Sequence, residues 1–203
     1  MKGNVYTLCF AAALGVVCSL LLTAVGGFTA PYKEANALAE ETRNILKVLD
    51  IPFDEKAPAR ELLTIRQEFV KEETSGGQTL YVYARAGAAA PEAVAMRFSG
   101  PGLWGPVKGL LALENDRKTI RGITFYEQEE TPGLGGEIAT EEFTARFVGK
   151  TIVGPDGKPG FDIGMPGSPA AVNRVDGITG ATMTCDKVEA MLNIAIETFV
   201  KEK

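Results

Sequence analysis

The runs Val107-Lys108-Gly109-Leu110-Leu111-Ala112-Leu113-Glu114 and Thr119-Ile120-Arg121-Gly122-Ile123-Thr124-Phe125-Tyr126-Glu127-Gln128, parted by Asn115-Asp116-Arg117-Lys118, decide the fold. Two apolar-rich stretches of strand length around a short polar break predict a β-hairpin. Upstream, 79–84 reads as a strand rich in Tyr and Val, 86–90 as a small-residue loop and 94–98 as a short strand. Ser99-Gly100-Pro101-Gly102 is turn chemistry. Two amphipathic helices precede these strands. One covers 33–49, with Leu38, Ile45 and Leu49 on its apolar side, and is ended by Ile51-Pro52-Phe53. The other covers 59–71, with Leu62, Leu63, Ile65, Phe69 and Val70 apolar, and runs into the turn Thr74-Ser75-Gly76-Gly77. Downstream, 129–137 is a glycine-rich turn. Thr140 caps a short helix carrying Phe143, Phe147 and Val148. A strand at 161–163 lies between Gly/Pro-rich loops at 154–160 and 164–167. A last helix from about 185 to 201 buries Val188, Met191, Leu192, Ala195 and Phe199, with Asp186 and Glu189 in a capping pattern. Hairpin strands and several helices without a repeating βαβ order make an α+β domain.

The first thirty residues read differently. No charged residue occurs between Gly3 and Tyr32, and the stretch from Leu8 to Leu22 is almost wholly apolar. About 20 such residues span a bilayer as a helix whose backbone groups are satisfied internally. The competing reading is a cleaved signal peptide, with a basic start and an apolar core of about 7–15 residues. Only Lys2 precedes this run, and the run is longer than that core, so a retained anchor is favoured. Pro31 is a natural stop. The expected organisation is a membrane anchor at 1–32, helices and stalk at 33–73 and the α+β domain at 74–203. Residues 31–203 form one unit outside the cytoplasm, with the N-terminus inside.

Composition excludes several functions. The chain has 203 residues and, with 21 Lys and Arg against 26 Asp and Glu, a net charge of −5. An acidic chain without a basic cluster is unsuited to nucleic acid. There is no histidine, which removes Ser-His-Asp and Cys-His catalysis and His-ligated zinc or haem. Cys9 and Cys18 are nine residues apart. At about 100° per residue they point to opposite helix faces, so neither a shared metal nor a disulfide is expected. Cys185 stands alone at a helix start, where a thiol can become reactive. Trp104 is either a core indole or a stacking platform. The acids Glu114, Asp116, Glu127, Glu129 and Glu130 read as a solvated face.

Two segments could carry chemistry. In Glu130-Thr131-Pro132-Gly133-Leu134-Gly135-Gly136-Glu137 the glycines allow close backbone approach to a ligand, and the amides of Gly135 and Gly136 could face an anion. The same glycines would equally serve a tight loop. The spacing is neither G-x-G-x-x-G nor a Walker A loop. In Val175-Asp176-Gly177-Ile178-Thr179-Gly180-Ala181-Thr182-Met183-Thr184-Cys185, threonines alternate with small residues just before a helix. A helix N-terminus favours a phosphate, and the amides of 183–185 are placed to meet one. Thr184 or Asp186 could instead simply cap the helix.

Asp176-Gly177-Ile178-Thr179-Gly180-Ala181-Thr182 resembles the flavinylation motif of the FMN-binding domain family, and Glu130-Thr131-Pro132-Gly133-Leu134-Gly135 resembles that family's second segment. The apolar N-terminal span matches the family's membrane helix. Gly102-Leu103-Trp104, Gly109-Leu110-Leu111-Ala112-Leu113, Phe125-Tyr126-Glu127 and Arg43-Asn44-Ile45-Leu46 resemble the NqrC branch of the family, which belongs to the Na+-translocating NADH:quinone reductase. Gln128 and Glu129 stand where that branch often has a His. The alternatives are the RnfG branch, which belongs to an Rnf-type ferredoxin:NAD+ oxidoreductase, and a flavin-binding membrane sensor.

The resemblance implies an antiparallel-sheet FMN-binding domain with flanking helices behind a single transmembrane helix. It implies FMN joined through its phosphate to Thr182, with Glu130, Thr131, Gly133, Leu134, Gly135, Asp176, Thr179, Gly180, Ala181 and Thr184 as binding residues, no metal, and no catalytic residue beyond the flavin. The implied activity is electron relay in an ion-translocating NADH:quinone oxidoreductase of six subunits, coupled to sodium transport, in a chain that does not itself bind NADH. The implied partners are the other subunits, a flavin transferase that installs the FMN, and membrane lipid. The implied location is the cell inner membrane, with the C-terminal domain periplasmic.

Overall fold

The computed structural model describes residues 2–85 and 90–201. Positions 86–89 of the small-residue loop expected at 86–90 lie outside the described residues. The chain divides into two compact units, Met1–Ala39 and Glu40–Lys203. Helix α1, Lys2–Val48, contributes to both. It continues through Pro31 without a break, so that proline does not stop it. The part running from Val5 is long and apolar enough to cross a membrane.

The second unit is built on an antiparallel meander, β1 (Val70–Ser75), β2 (Gln78–Tyr83), β3 (Ala93–Pro101), β4 (Pro106–Glu114) and β5 (Ile120–Glu127), hydrogen-bonded in that order. The hairpin expected at 107–128 is β4–β5, with Leu111 opposite Ile123. Because side chains alternate along a strand, each strand feeds two cores. Val94, Met96, Phe98, Leu111, Ile123 and Phe125 pack on one face with Val188, Leu192 and Ile196 of α4 (Thr182–Lys201). Tyr81, Tyr83, Ala95, Leu110 and Ala112 pack on the other with Ile45, Leu46 and Leu49 at the end of α1, and with Leu62 of α2 (Ala59–Phe69). The helix expected at 59–71 ends at Phe69, and Val70 already pairs with Tyr83 in the sheet.

The segments that lead to the motif are tied to the first core. A short 3-10 turn at Gly135–Ala139 precedes α3, Glu141–Ala145. Thr140 caps α3, its hydroxyl accepting from Phe143 N–H at 3.4 Å. β6 (Asp162–Gly164) pairs in parallel with β7 (Arg174–Asp176). Asn193 of α4 clamps Phe161, accepting from its N–H at 2.7 Å and donating to its carbonyl at 2.9 Å. Glu189 accepts from Ile163 N–H at 2.7 Å. Glu189 thus anchors β6 and does not cap a helix. Since α4 begins at Thr182 and not near Cys185, Asp186 lies inside the helix.

Candidate functional site

The chain leaves β7 at Asp176 and turns directly into α4. Arg146 holds that exit, its guanidinium donating to the carbonyls of Asp176 at 3.0 Å and Gly177 at 3.2 Å. Gly177 N–H donates to Gly164 carbonyl at 2.7 Å. Gly180 has φ = +80°, the left-handed region that L side chains avoid, and a Cβ there would meet Leu134 Cδ2 at 3.2 Å. This residue reverses the chain so that Thr182 opens α4 with its side chain exposed. The first bond of the helix ladder is Cys185 N–H to Ala181 carbonyl at 3.0 Å. The Met183 and Thr184 amides therefore form the free end that favours an anion, while the Cys185 amide, expected to join them, is already engaged.

Thr182 borders a cavity of about 360 Å³ built from three loops. Leu103 and Trp104 come from the β3–β4 turn, Glu130, Thr131, Leu134 and Gly135 from the loop after β5, and Gly180 to Thr184 from the motif. Its rim is apolar and open to solvent: Trp104 is 70% exposed, and Leu103, Leu134 and Met183 are exposed with it. Trp104 is thus not a core indole. Leu103 and Met183 were not singled out from sequence as site residues. Their signal was an exposed apolar side chain beside each motif, which only the structure displays.

Glu130 departs from expectation. It is not part of a solvated face but is 5% exposed. Its Oε1 accepts from Leu103 N–H at 2.6 Å and Trp104 N–H at 3.3 Å, and its Oε2 accepts from the Thr184 hydroxyl at 2.7 Å. Thr184 is therefore a buried crosslink, not a helix cap. The packing leaves no space for a side chain nearby. A Cβ on Gly135 would lie 2.6 Å from both Glu130 Oε2 and Thr184 Oγ1, and one on Gly102 would overlap Glu130 Oε1.

Other expected site residues fall elsewhere. Gly133 is exposed and donates to Glu137 Oε1 at 3.1 Å, and Gly136 N–H donates to Thr131 carbonyl at 2.9 Å. Both bonds hold the loop, so the Gly136 amide, one of the two expected to face an anion, is already engaged. Asp176 and Thr179 border a separate cavity of about 690 Å³ beside Arg146 and Lys150. Asp176 Oδ2 accepts from Gly167 N–H at 3.1 Å. Cys185 is buried, its sulfur accepting from Ile178 N–H at 3.3 Å. Burial pushes its thiol up, which opposes the reactive thiolate a helix start would otherwise favour. Among the described residues no cluster of Cys, Asp and Glu is placed to hold a metal.

The family model of the FMN-binding domain matches residues 102–197. The NqrC protein of the Na(+)-translocating NADH-quinone reductase of Vibrio anguillarum is 43% identical over 91 residues, which are 44% of this chain and 36% of that protein. Its counterpart in Vibrio alginolyticus is 30% identical over 165 residues, 79% of this chain and 64% of that one. The matched stretch thus spans about a third of the length of the first of these curated relatives (36%). Among solved structures, the corresponding protein of the Na(+)-translocating NADH-quinone reductase from Parabacteroides distasonis superposes with a TM-score of 0.70 at 28% identity, covering 84% of this chain and 94% of that chain. The NqrC structure from Shewanella oneidensis shares the fold, with a TM-score of 0.64 at 20% identity over 78% of this chain and 92% of that one. The stretch from 102 to 197 therefore matches the FMN-binding domain family, in an α+β fold like that of NqrC.

Proposed function

We propose that this chain is a membrane-anchored flavoprotein that carries FMN as a phosphoester on Thr182 and relays electrons inside an ion-translocating NADH:quinone oxidoreductase. The observation that carries the reading is the position of Thr182, exposed at the head of a 20-residue helix and beside an apolar-rimmed cavity. These residues fit a flavin phosphoester. FMN supplies one- and two-electron redox chemistry when bound, and the chain supplies placement and electrostatics. The Met183 and Thr184 amides meet the phosphate charge, an effect of about 0.3–1 kcal/mol at a helix terminus. Trp104, Leu134 and Met183 would offer apolar surface to the ring.

The further parts of the reading rest on the resemblance to NqrC. Electrons arrive from NADH through cofactors on other subunits and leave towards quinone, so this chain binds no NADH. A flavin transferase loads Thr182 and reads Asp176, Thr179 and Gly180 around it. The apolar N-terminal part of α1 spans the inner membrane, with residues 31–203 on the periplasmic side.

The test is co-expression with a flavin transferase, in-gel fluorescence of the denatured chain and peptide mass mapping, beside Thr182→Ala. A fluorescent band mapped to Thr182 and absent from the variant is expected. A dark wild-type band with an active transferase overturns the reading, and a label on Thr179 or Thr184 moves the site.

A further inference from the structure

The Glu130 carboxylate is held only by dipoles. Its three partners, two backbone amides and one hydroxyl, are all donors, the set that suits an ionised carboxylate. Among the described residues no Lys or Arg forms an ion pair with it. A buried charge without a counter-charge is costly, and its field is poorly screened in the low-dielectric interior. Nearby acids differ. Glu127 is exposed and paired with Lys108 at 2.8 Å. The carboxylate also joins the three loops of the cavity, since it holds the Leu103–Trp104 turn, belongs to the loop after β5 and grips the first turn of α4.

We propose that Glu130 is a positioning residue with an electrostatic function: it fixes the Trp104 turn against the head of α4, and its unpaired negative charge lowers the reduction potential of a flavin held at Thr182. The second half rests on the functional reading above, and the first does not. Adding an electron beside a fixed, unscreened anion is disfavoured, so the charge biases the bound group towards its oxidised form. The partial positive charge of the α4 N-terminus opposes this bias without cancelling a full unit of charge.

Two substitutions separate the two roles. Glu130→Gln keeps an acceptor for the Leu103 and Trp104 amides and removes the charge, whereas Glu130→Ala removes both. Trp104 is the only tryptophan in the chain, so its fluorescence and acrylamide quenching report the turn in flavin-free protein in detergent. The expected result is altered Trp104 quenching in Glu130→Ala and wild-type quenching in Glu130→Gln. In the flavinylated chain, a mediated redox titration of Glu130→Gln should show the reduction equilibrium raised about tenfold, which is about 59 mV for a one-electron couple. Glu127→Gln, the removal of an exposed charge, should titrate like wild type. Unchanged Trp104 quenching in Glu130→Ala overturns the positioning role. Should that variant not fold, wild-type quenching in Glu130→Gln supports the role and altered quenching opposes it. Equal potentials for wild type and Glu130→Gln, or an equal rise in Glu127→Gln, overturn the electrostatic role. A wild-type chain left dark by an active transferase refutes the functional reading and, with it, the electrostatic role, while the Trp104 comparison still decides the positioning.

Discussion

The Thr184 hydroxyl donates a 2.7 Å hydrogen bond to Glu130 Oε2, a buried contact between residues 54 positions apart. It joins the two segments that the motifs pick out separately, and it makes the head of α4 dependent on the loop after β5. Thr184→Val keeps the shape and removes the donor, leaving one carboxylate oxygen buried without its partner. The expected cost is about 1–3 kcal/mol. Thr184→Ser keeps the hydroxyl and should cost clearly less. Chemical denaturation of both variants checks this, and equal losses would show that the methyl group, not the hydrogen bond, matters.

Gly135 and Gly133 make a matched pair for testing close packing against backbone conformation. A Cβ on Gly135 would stand 2.6 Å from Glu130 Oε2 and Thr184 Oγ1, inside the contact just described. Gly133 has φ = +75° with open space around it. Gly133→Ala should therefore cost only backbone strain, about 1 kcal/mol. Gly135→Ala must push apart two buried polar groups and should cost about 1–3 kcal/mol. Thermal unfolding should rank Gly135→Ala below Gly133→Ala, and the reverse order would contradict the packing.

The sequence was informative where side chains repeat and silent where one tertiary contact decides. The β4–β5 hairpin and the apolar stripe of α4 were legible because alternation and helical spacing each leave a pattern. β1 was not, because Lys71, Glu72 and Glu73 face solvent on an edge strand and show no alternation. β7 is too short to leave a period. The start of α4 was placed late because threonines at 182 and 184 read as loop chemistry, yet Gly180 turns the chain early enough for both to be helical. Glu130 was read as solvated for want of any local cue. Its neighbours Glu127 and Glu129 are exposed acids, and only the Leu103–Trp104 turn and Thr184 reveal that it is enclosed.

Cys185 lies three residues beyond Thr182, but the geometry removes it from redox chemistry. Its sulfur is buried and accepts from Ile178 N–H at 3.3 Å, and burial pushes the thiol up from 9.0. Since the thiolate is the reactive form, iodoacetamide at about pH 8 should leave the Cys185 peptide unlabelled in the folded chain and label it after denaturation. Mass mapping distinguishes it from Cys9 and Cys18. Rapid native labelling would show that the first turn of α4 opens far more readily than its packing implies.

Tyr81 should make the second unit less stable at alkaline pH. It is buried beneath the end of α1 and donates to Glu41 Oε1 at 2.9 Å. Arg97 ion-pairs with the same carboxylate, and the guanidinium carbons of Arg66 and Arg97 stand 5.4 and 5.3 Å from the ring centroid. Burial first, and then the Glu41 charge, push its phenol up from 10.0 to about 12. Between those values the unfolded chain has released this proton and the folded chain still holds it. The folded state therefore binds more protons, and stability falls as pH rises through that window. Tyr81→Phe loses the hydrogen bond to Glu41 and starts less stable at neutral pH, but it lacks this titration. The gap between wild type and Tyr81→Phe should narrow from pH 10.0 towards about 12. Ultraviolet titration should also show a phenol that resists ionisation until about that pH in wild type and is missing in Tyr81→Phe. A constant gap across the window, or a wild-type spectrum in which every tyrosine titrates near 10.0, would contradict the burial of that hydroxyl.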